Sequence, residues 1–223
     1  MEYSRENLPK WLFTVVASLA LLHIAVAVVH YRVVELPCQF LELSDLEEGE
    51  SLGAMLNVAL LALASYLSFR QAYRSNNEKL TWRVLWALLA VGFCIMTFWK
   101  ISGTHGVPGL LFDRRWVALT LPLLVLIAAS FVPFLLHLPA NTRNLLIVSA
   151  AIYLIGAVGV ETALGWLPTP DNYNTCNDRV STFGYSLASV VEGSMELTGL
   201  ILFVKALIGL RVDTGPQGRS WII

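Results

Sequence analysis

The chain has 223 residues, 56% of them hydrophobic and only 14% charged, a balance that excludes a soluble globular domain and describes an integral membrane protein. At about 20 residues per span, helices consume more than half of that length and leave no room for a separate soluble domain. A formal net charge of -1 argues against nucleic acid as a partner, because a basic footprint is the usual sign of such binding.

Six apolar runs approach the spanning length of roughly 17 to 25 residues, near 11–29, 53–69, 84–99, 116–136, 145–166 and 186–210. Each is bounded by charge, Pro or an aromatic. The expected fold is therefore all-α, a single polytopic domain over residues 1–223 built as a bundle of six transmembrane helices in contact with the lipid bilayer. Trp11, Trp99, Trp116 and Trp166 fall at span ends, where amphipathic rings favour the interface.

The first run follows Arg5 and Lys10 and lacks a small-residue cleavage site before Arg32, so it reads as an uncleaved anchor. His23 lies mid-way along it and His30 at its far end. No two histidines have the four-residue spacing that sets two zinc ligands on one helix face. His23 reads as a satisfied bundle residue, whereas His30 and His105 are candidates for a cluster at the outer side.

The loop that follows is acidic, with Glu35, Glu42, Asp45, Glu47, Glu48 and Glu50, and leads into a second run that carries Asn57. Asn57 alone reads as a polar helix contact. The third run holds Cys94 and ends at Lys100; turn-forming Gly103, Gly106, Pro108 and Gly109 follow, with His105, Arg114 and Arg115 nearby. The fifth run carries Glu161. The loop 167–182, with Pro168, Pro170, Asp171, Asn172, Asn174 and Asn177, favours turns and is placed to form a lid.

With the N-terminus inside, the inner segments hold ten of the fifteen Lys and Arg residues. This asymmetry places both termini in the cytoplasm. The sixth run then carries Ser189, Glu192, Glu196 and Gly199 at spacings of three, four and three, a single helix face. A carboxylate in a bilayer costs about 2.5 to 3.5 kcal/mol on insertion scales, so such a face turns inward and marks a functional site by default.

The expected polar cluster is Glu161, Glu192, Glu196 and Asn57, with Glu48 and Glu50 above it and Lys100, His105, Arg114 and Arg115 as its rim. Internal salt bridging to those cations is the plain structural alternative. Cys38 and Cys176 both fall in outer loops and are able to pair in an oxidising compartment; the alternative is two unrelated thiols. No glycine-rich phosphate motif, nucleophile elbow, metal-type cysteine pair or haem-attachment motif occurs, so neither a cofactor nor the identity of a metal is indicated.

The stretches LEEGESLGAMLNVALLALASYLSFR (Leu46 to Arg70) and VVEGSMELTGLILFVKAL (Val190 to Leu207) resemble the opening and closing helices of uncharacterised multi-pass bacterial membrane proteins that begin spans with Glu and Gly. The resemblance covers about a fifth of the chain and implies a bacterial inner-membrane location. Glu48 or Glu50 with Asn57, and Glu192 with Glu196, also resemble the acid and Asn of an early helix and the paired ligands of the last helix in alkaline ceramidase-like membrane hydrolases. That family has histidines on its last helix and a Ser followed by His on a middle one, which this chain lacks, so its catalysis is not carried over.

Three functional classes remain. The preferred one is a non-catalytic subunit or accessory factor of a membrane assembly, which needs only a membrane-protein partner. The others are a cation- or proton-coupled transporter using the buried acids, and a metal-dependent membrane hydrolase acting on a lipid.

Overall fold

A computed structural model of the chain describes residues 2–46, 51–74, 80–102, 116–160, 174–176, 179–181 and 183–213. Within these, the side chains of 2–6, 38, 42, 116–124, 174–181 and 211–213 lie outside the description. The elements in chain order are α1 (Glu2–Arg32), α2 (Cys38–Ser44), α3 (Leu52–Arg74), α4 (Leu80–Ser102), α5 (Trp116–His137), α6 (Ala140–Leu154), a π-helical segment Ile155–Val160, β1 (Asn174–Cys176), β2 (Arg179–Ser181) and α7 (Phe183–Asp213).

Among the described residues, five helical stretches are long and apolar enough to cross a membrane: Asn7–Arg32, Leu52–Arg74, Leu80–Ser102, Ala140–Val160 and Phe183–Leu210. The helix expected from the fourth run, α5, has 22 residues by backbone, and its described side chains form the shorter apolar stretch Val125–His137. Several helices outrun their apolar runs at one or both ends. The reason is that hydropathy marks only the apolar band, whereas the hydrogen-bond ladder continues through flanking residues such as Arg70 and Arg74. Two elements were not expected at all, the short acidic α2 and an antiparallel hairpin in which Thr175 faces Val180.

The chain divides into two compact units. The first comprises Met1–Leu60 and Val148–Phe203, the second Leu61–Ile147 and Val204–Ile223. In the second unit, Trp82 stacks on His137 with ring centroids 4.4 Å apart, and Trp86 meets the buried Phe134 edge-on at 4.7 Å. Ser65 Oγ donates to the Ala90 carbonyl at 2.8 Å, tying α3 to α4.

In the first unit, the buried positions of α1 are Pro9, Val16, His23, Ala27 and His30. Four of them recur every seven residues, so one narrow stripe packs inward. Trp11, Leu21, Leu22 and Val28 lie on the other faces and are exposed. The usual contrast is thereby reversed, with both histidines inside and large apolar groups outside. At the end of α1, Tyr31 packs against Phe183 at 6.0 Å and the Arg32 guanidinium lies 5.3 Å over the same ring. The C-terminus of α1 and the N-terminus of α7 therefore lie side by side.

The segment after α2 is fastened by close packing. Leu46 is 1% exposed and lies against two glycines, Gly53 of α3 and Gly193 of α7. A Cβ on Gly53 would strike the Leu46 backbone, and one on Gly193 would come within 2.5 Å of the Leu46 Cβ. Only hydrogen side chains leave that space. Ser51 then caps α3, its Oγ accepting the Ala54 N–H at 3.0 Å, which satisfies one of the free donors of the first turn.

Gly193→Ala is expected to cost about 1 to 3 kcal/mol by overpacking. Leu46→Gly removes the Cβ it strikes and should recover part of that loss, but should recover none in a Gly53→Ala background, where the collision is with backbone. Unfolding midpoints in detergent for the two double-mutant cycles measure this; equal coupling in both cycles would mean that Leu46 is not seated in this way.

Candidate functional site

The site is assembled along α7, whose best spanning window is 61% buried against 11 to 39% for the other four candidate spans. It is the most enclosed of the five. Ser186, Ser189, Glu192 and Glu196 are each no more than 5% exposed, and their spacings of three, three and four put them on one face. They form a column of polar groups in which Ser186, Ser189 and Glu196 bond to side chains of other segments.

At the top, Ser186 Oγ lies 2.8 Å from His23 Nε2 of α1. Ser44 donates its hydroxyl proton to the Leu41 carbonyl at 3.0 Å, which leaves its lone pairs toward His23 Nδ1 at 3.5 Å. That arrangement assigns the imidazole proton to Nδ1 and makes Nε2 the acceptor of the Ser186 O–H. One turn along, Ser189 Oγ donates to Asp45 Oδ1 at 2.8 Å. The acidic segment is thus tied to α7 by a hydrogen bond next to the Leu46 seat.

Glu192 and Glu196 follow. Asn57 Nδ2 of α3 donates to Glu196 Oε2 at 2.7 Å. The other end of the amide is not served: Asn57 is 1% exposed and its Oδ1 has no hydrogen-bond partner. Buried polar atoms without partners are few in folded proteins and call for a cause.

The wall opposite is the π-helical segment. Gly156 approaches α7 so closely that an added Cβ would lie 2.8 Å from Met195 Cβ and 3.2 Å from the Glu192 carbonyl oxygen. Single π turns within helices occur often at functional sites, and this one lies against the turn that joins the two glutamates. Below it, Ser149 Oγ of α6 donates to the Gly199 carbonyl at 2.7 Å. The layer is closed on that side by Tyr153, whose Cβ packs on Gly199.

Of the residues singled out from sequence, the structure sets Asn57 against Glu196, with Glu192 one turn away on the same face. Lys100 is half-buried near the end of α4, in the second unit. Glu48, Glu50, His105, Arg114, Arg115 and Glu161 lie outside the described residues, as do the side chains of Cys38 and Cys176. Cys94 is an exposed free thiol. His30 is buried and its Nδ1 accepts the Leu36 N–H at 3.0 Å, while its Nε2 has no partner. Among the described residues, no three His, Cys, Asp or Glu side chains converge as around a metal ion.

Asp45, Ser186, the His23 contact and the π segment are additions to that reading. Ser186 was within reach of the pattern, since it extends the small and polar stripe of α7 by one turn. Asp45 carried no signal that separated it from its five acidic neighbours, and IGAVGV at Ile155–Val160 reads as ordinary apolar helix.

A family model described as "Domain of unknown function (DUF8692)" matches residues 11–209. No curated protein and no solved structure matches the chain.

Asn57→Leu is expected to lower stability, and its cost should fall by about half in a Glu196→Gln background, because a neutral acceptor loses less than a charged one when its donor is removed. Unfolding midpoints of the four proteins in detergent test this. An equal cost in both backgrounds would show that the bond to Glu196 is not what Asn57 contributes.

Proposed function

The chain belongs to the DUF8692 family, and from that premise we propose that it is a multi-pass protein of a bacterial inner membrane whose buried glutamates bind a coupling ion. In this reading six helices cross the bilayer, both termini lie in the cytoplasm, and Asn57, Glu192 and Glu196 form a cation or proton site in the outer half. The role is that of an ion-coupled transporter.

Support for the membrane setting comes from the exposed surface. Trp11, Leu21, Phe98, Ile101 and Leu126 are each at least 66% exposed, and exposed apolar area on that scale needs a cover. Three hydroxyls on these surfaces turn back onto their own helices. Thr14 bonds back to the Lys10 carbonyl at 3.0 Å, Ser18 to Thr14 at 2.8 Å and Ser130 to Ile127 at 2.6 Å, so each is satisfied by its own helix, as hydrocarbon surroundings require.

The observation that carries the ion site is the pair of carboxylates, 3% and 4% exposed, beside an amide oxygen that lacks a donor. A purely structural role asks only for paired groups. Asn57 Oδ1 is a buried acceptor without a hydrogen-bond partner, and a positively charged ligand is what such an atom beside a carboxylate attracts.

Two measurements test this reading. In a background with Cys38, Cys94 and Cys176 replaced by Ser, a cysteine introduced by Asn77→Cys should resist an impermeant external reagent in intact cells, while one introduced by Glu48→Cys should react. Labelling of the first from outside sinks the topology. In vesicles loaded with a pH-sensitive dye and given radiolabelled sodium, the wild-type protein should move protons or sodium above the empty-vesicle rate, and Glu196→Gln and Glu192→Gln should lose that movement while still inserting. If wild-type protein moves neither ion, or the Gln variants move them normally, the transport reading is wrong and the glutamates are helix contacts.

A further inference from the structure

Resting on the reading of Asn57, Glu192 and Glu196 as an ion site, we infer that its ligand is an alkali cation held by Asn57 Oδ1 and the Glu196 carboxylate, with Glu192 supplying negative charge one turn away. The hydrogen-bonding inventory of the amide distinguishes this from a proton. Asn57 offers two donors on Nδ2 and one acceptor oxygen. In the structure Nδ2 donates to Glu196 Oε2 at 2.7 Å, and Oδ1 is buried without a partner.

A proton placed on Glu196 does not repair that. It leaves Oδ1 unmet so long as Nδ2 keeps its bond. Turning the amide over lets Oδ1 accept the carboxylic O–H, but it takes Nδ2 away from Glu196 and leaves both of its N–H groups in need of acceptors. A cation resolves the difficulty without moving anything, since it coordinates Oδ1 while Nδ2 still donates to the carboxylate. Both ends of the amide branch from one carbon, so Oδ1 stays within a few ångströms of Glu196.

The donor chemistry narrows the class of cation. Amide and carboxylate oxygens are hard ligands that suit hard cations rather than thiophilic or imidazole-seeking metals. The carboxylate bonded to the amide is that of Glu196, and one positive charge offsets one carboxylate inside a desolvated layer. The π turn adds a feature found where ions bind within helices, namely backbone released from regular pairing beside the site.

Cation binding to the folded protein raises its stability in proportion to the logarithm of free cation above the dissociation constant. For purified protein in detergent at constant ionic strength, replacing choline chloride by NaCl or KCl should therefore raise the unfolding midpoint by roughly 3 to 5 °C for each tenfold rise in the bound cation. Asn57→Leu should abolish the shift. Asn57→Asp, which keeps the oxygen and adds a charge next to Glu196, should have a lower midpoint in choline and a larger shift with the cation. Ser65→Ala, in the second unit and away from the site, should retain the wild-type shift.

Equal midpoints in choline, sodium and potassium overturn the inference, as does a cation shift that survives in Asn57→Leu. A response to MgCl2 or CaCl2 that exceeds the alkali response overturns the choice of charge. If midpoints ignore all of these salts while proton movement in vesicles still depends on Glu196, the site is a proton site: this inference falls and the ion-coupled reading stands. If both measurements are blank, both fall.

Discussion

The bond from Asn57 to Glu196 stands for the constraint on which the first unit depends, the need to keep two carboxylates of α7 out of water without leaving them bare. Removing a carboxylate from water costs several kcal/mol even after relaxation, and Glu192 and Glu196 are both almost fully enclosed. The surrounding segments are arranged accordingly. α3 brings an amide donor to Glu196, α1 and the α2 segment take the serines above, and α6 binds the backbone below through Ser149. α7 is the most enclosed of the five described spans because it carries the groups that need enclosure.

Close packing and polarity act on the same turn. Gly193 sits between the two glutamates in sequence and admits Leu46, while Gly156 admits the π segment on the adjoining side. Each close approach excludes water from the layer. A drier layer strengthens the hydrogen bond to Glu196 and equally raises the cost of every atom left without a partner. The unmet Asn57 oxygen is therefore most expensive where the packing is best, which is why its presence argues for a ligand and against a tolerated imperfection.

Much of the helical layout is legible in the sequence because an apolar run of spanning length has few other uses. Its ends are less so: α1 begins at Glu2 and α3 continues to Arg74, since charged residues carry a helical backbone as well as apolar ones do. The acidic segment before α3 gives no period for a seven-residue helix such as α2, and Leu46 looks like one apolar residue among acids. Its burial is decided by Gly53 and Gly193, 140 positions apart in the chain. The inward face of α7 could be read from Ser189, Glu192, Glu196 and Gly199, but which residue met each of them could not, because Asn57 and Glu196 are joined only by the tertiary fold.

The direction of polarity in this molecule explains both successes and omissions. On α1 and α7 the buried stripe contains His23, His30, Ser186, Ser189, Glu192 and Glu196, whereas much of the exposed surface is apolar. A hydrophobic pattern alone therefore carries little contrast, and the informative residues are the few polar ones, which must either turn inward or, like Thr14 and Ser18, bond to their own helix. Glutamate has no equivalent self-satisfying geometry within one helix turn. Two of them on one enclosed face share a single desolvated layer, so the charge state or occupancy of one alters the electrostatic cost of the other. Coupling between the two is therefore inherent in their placement.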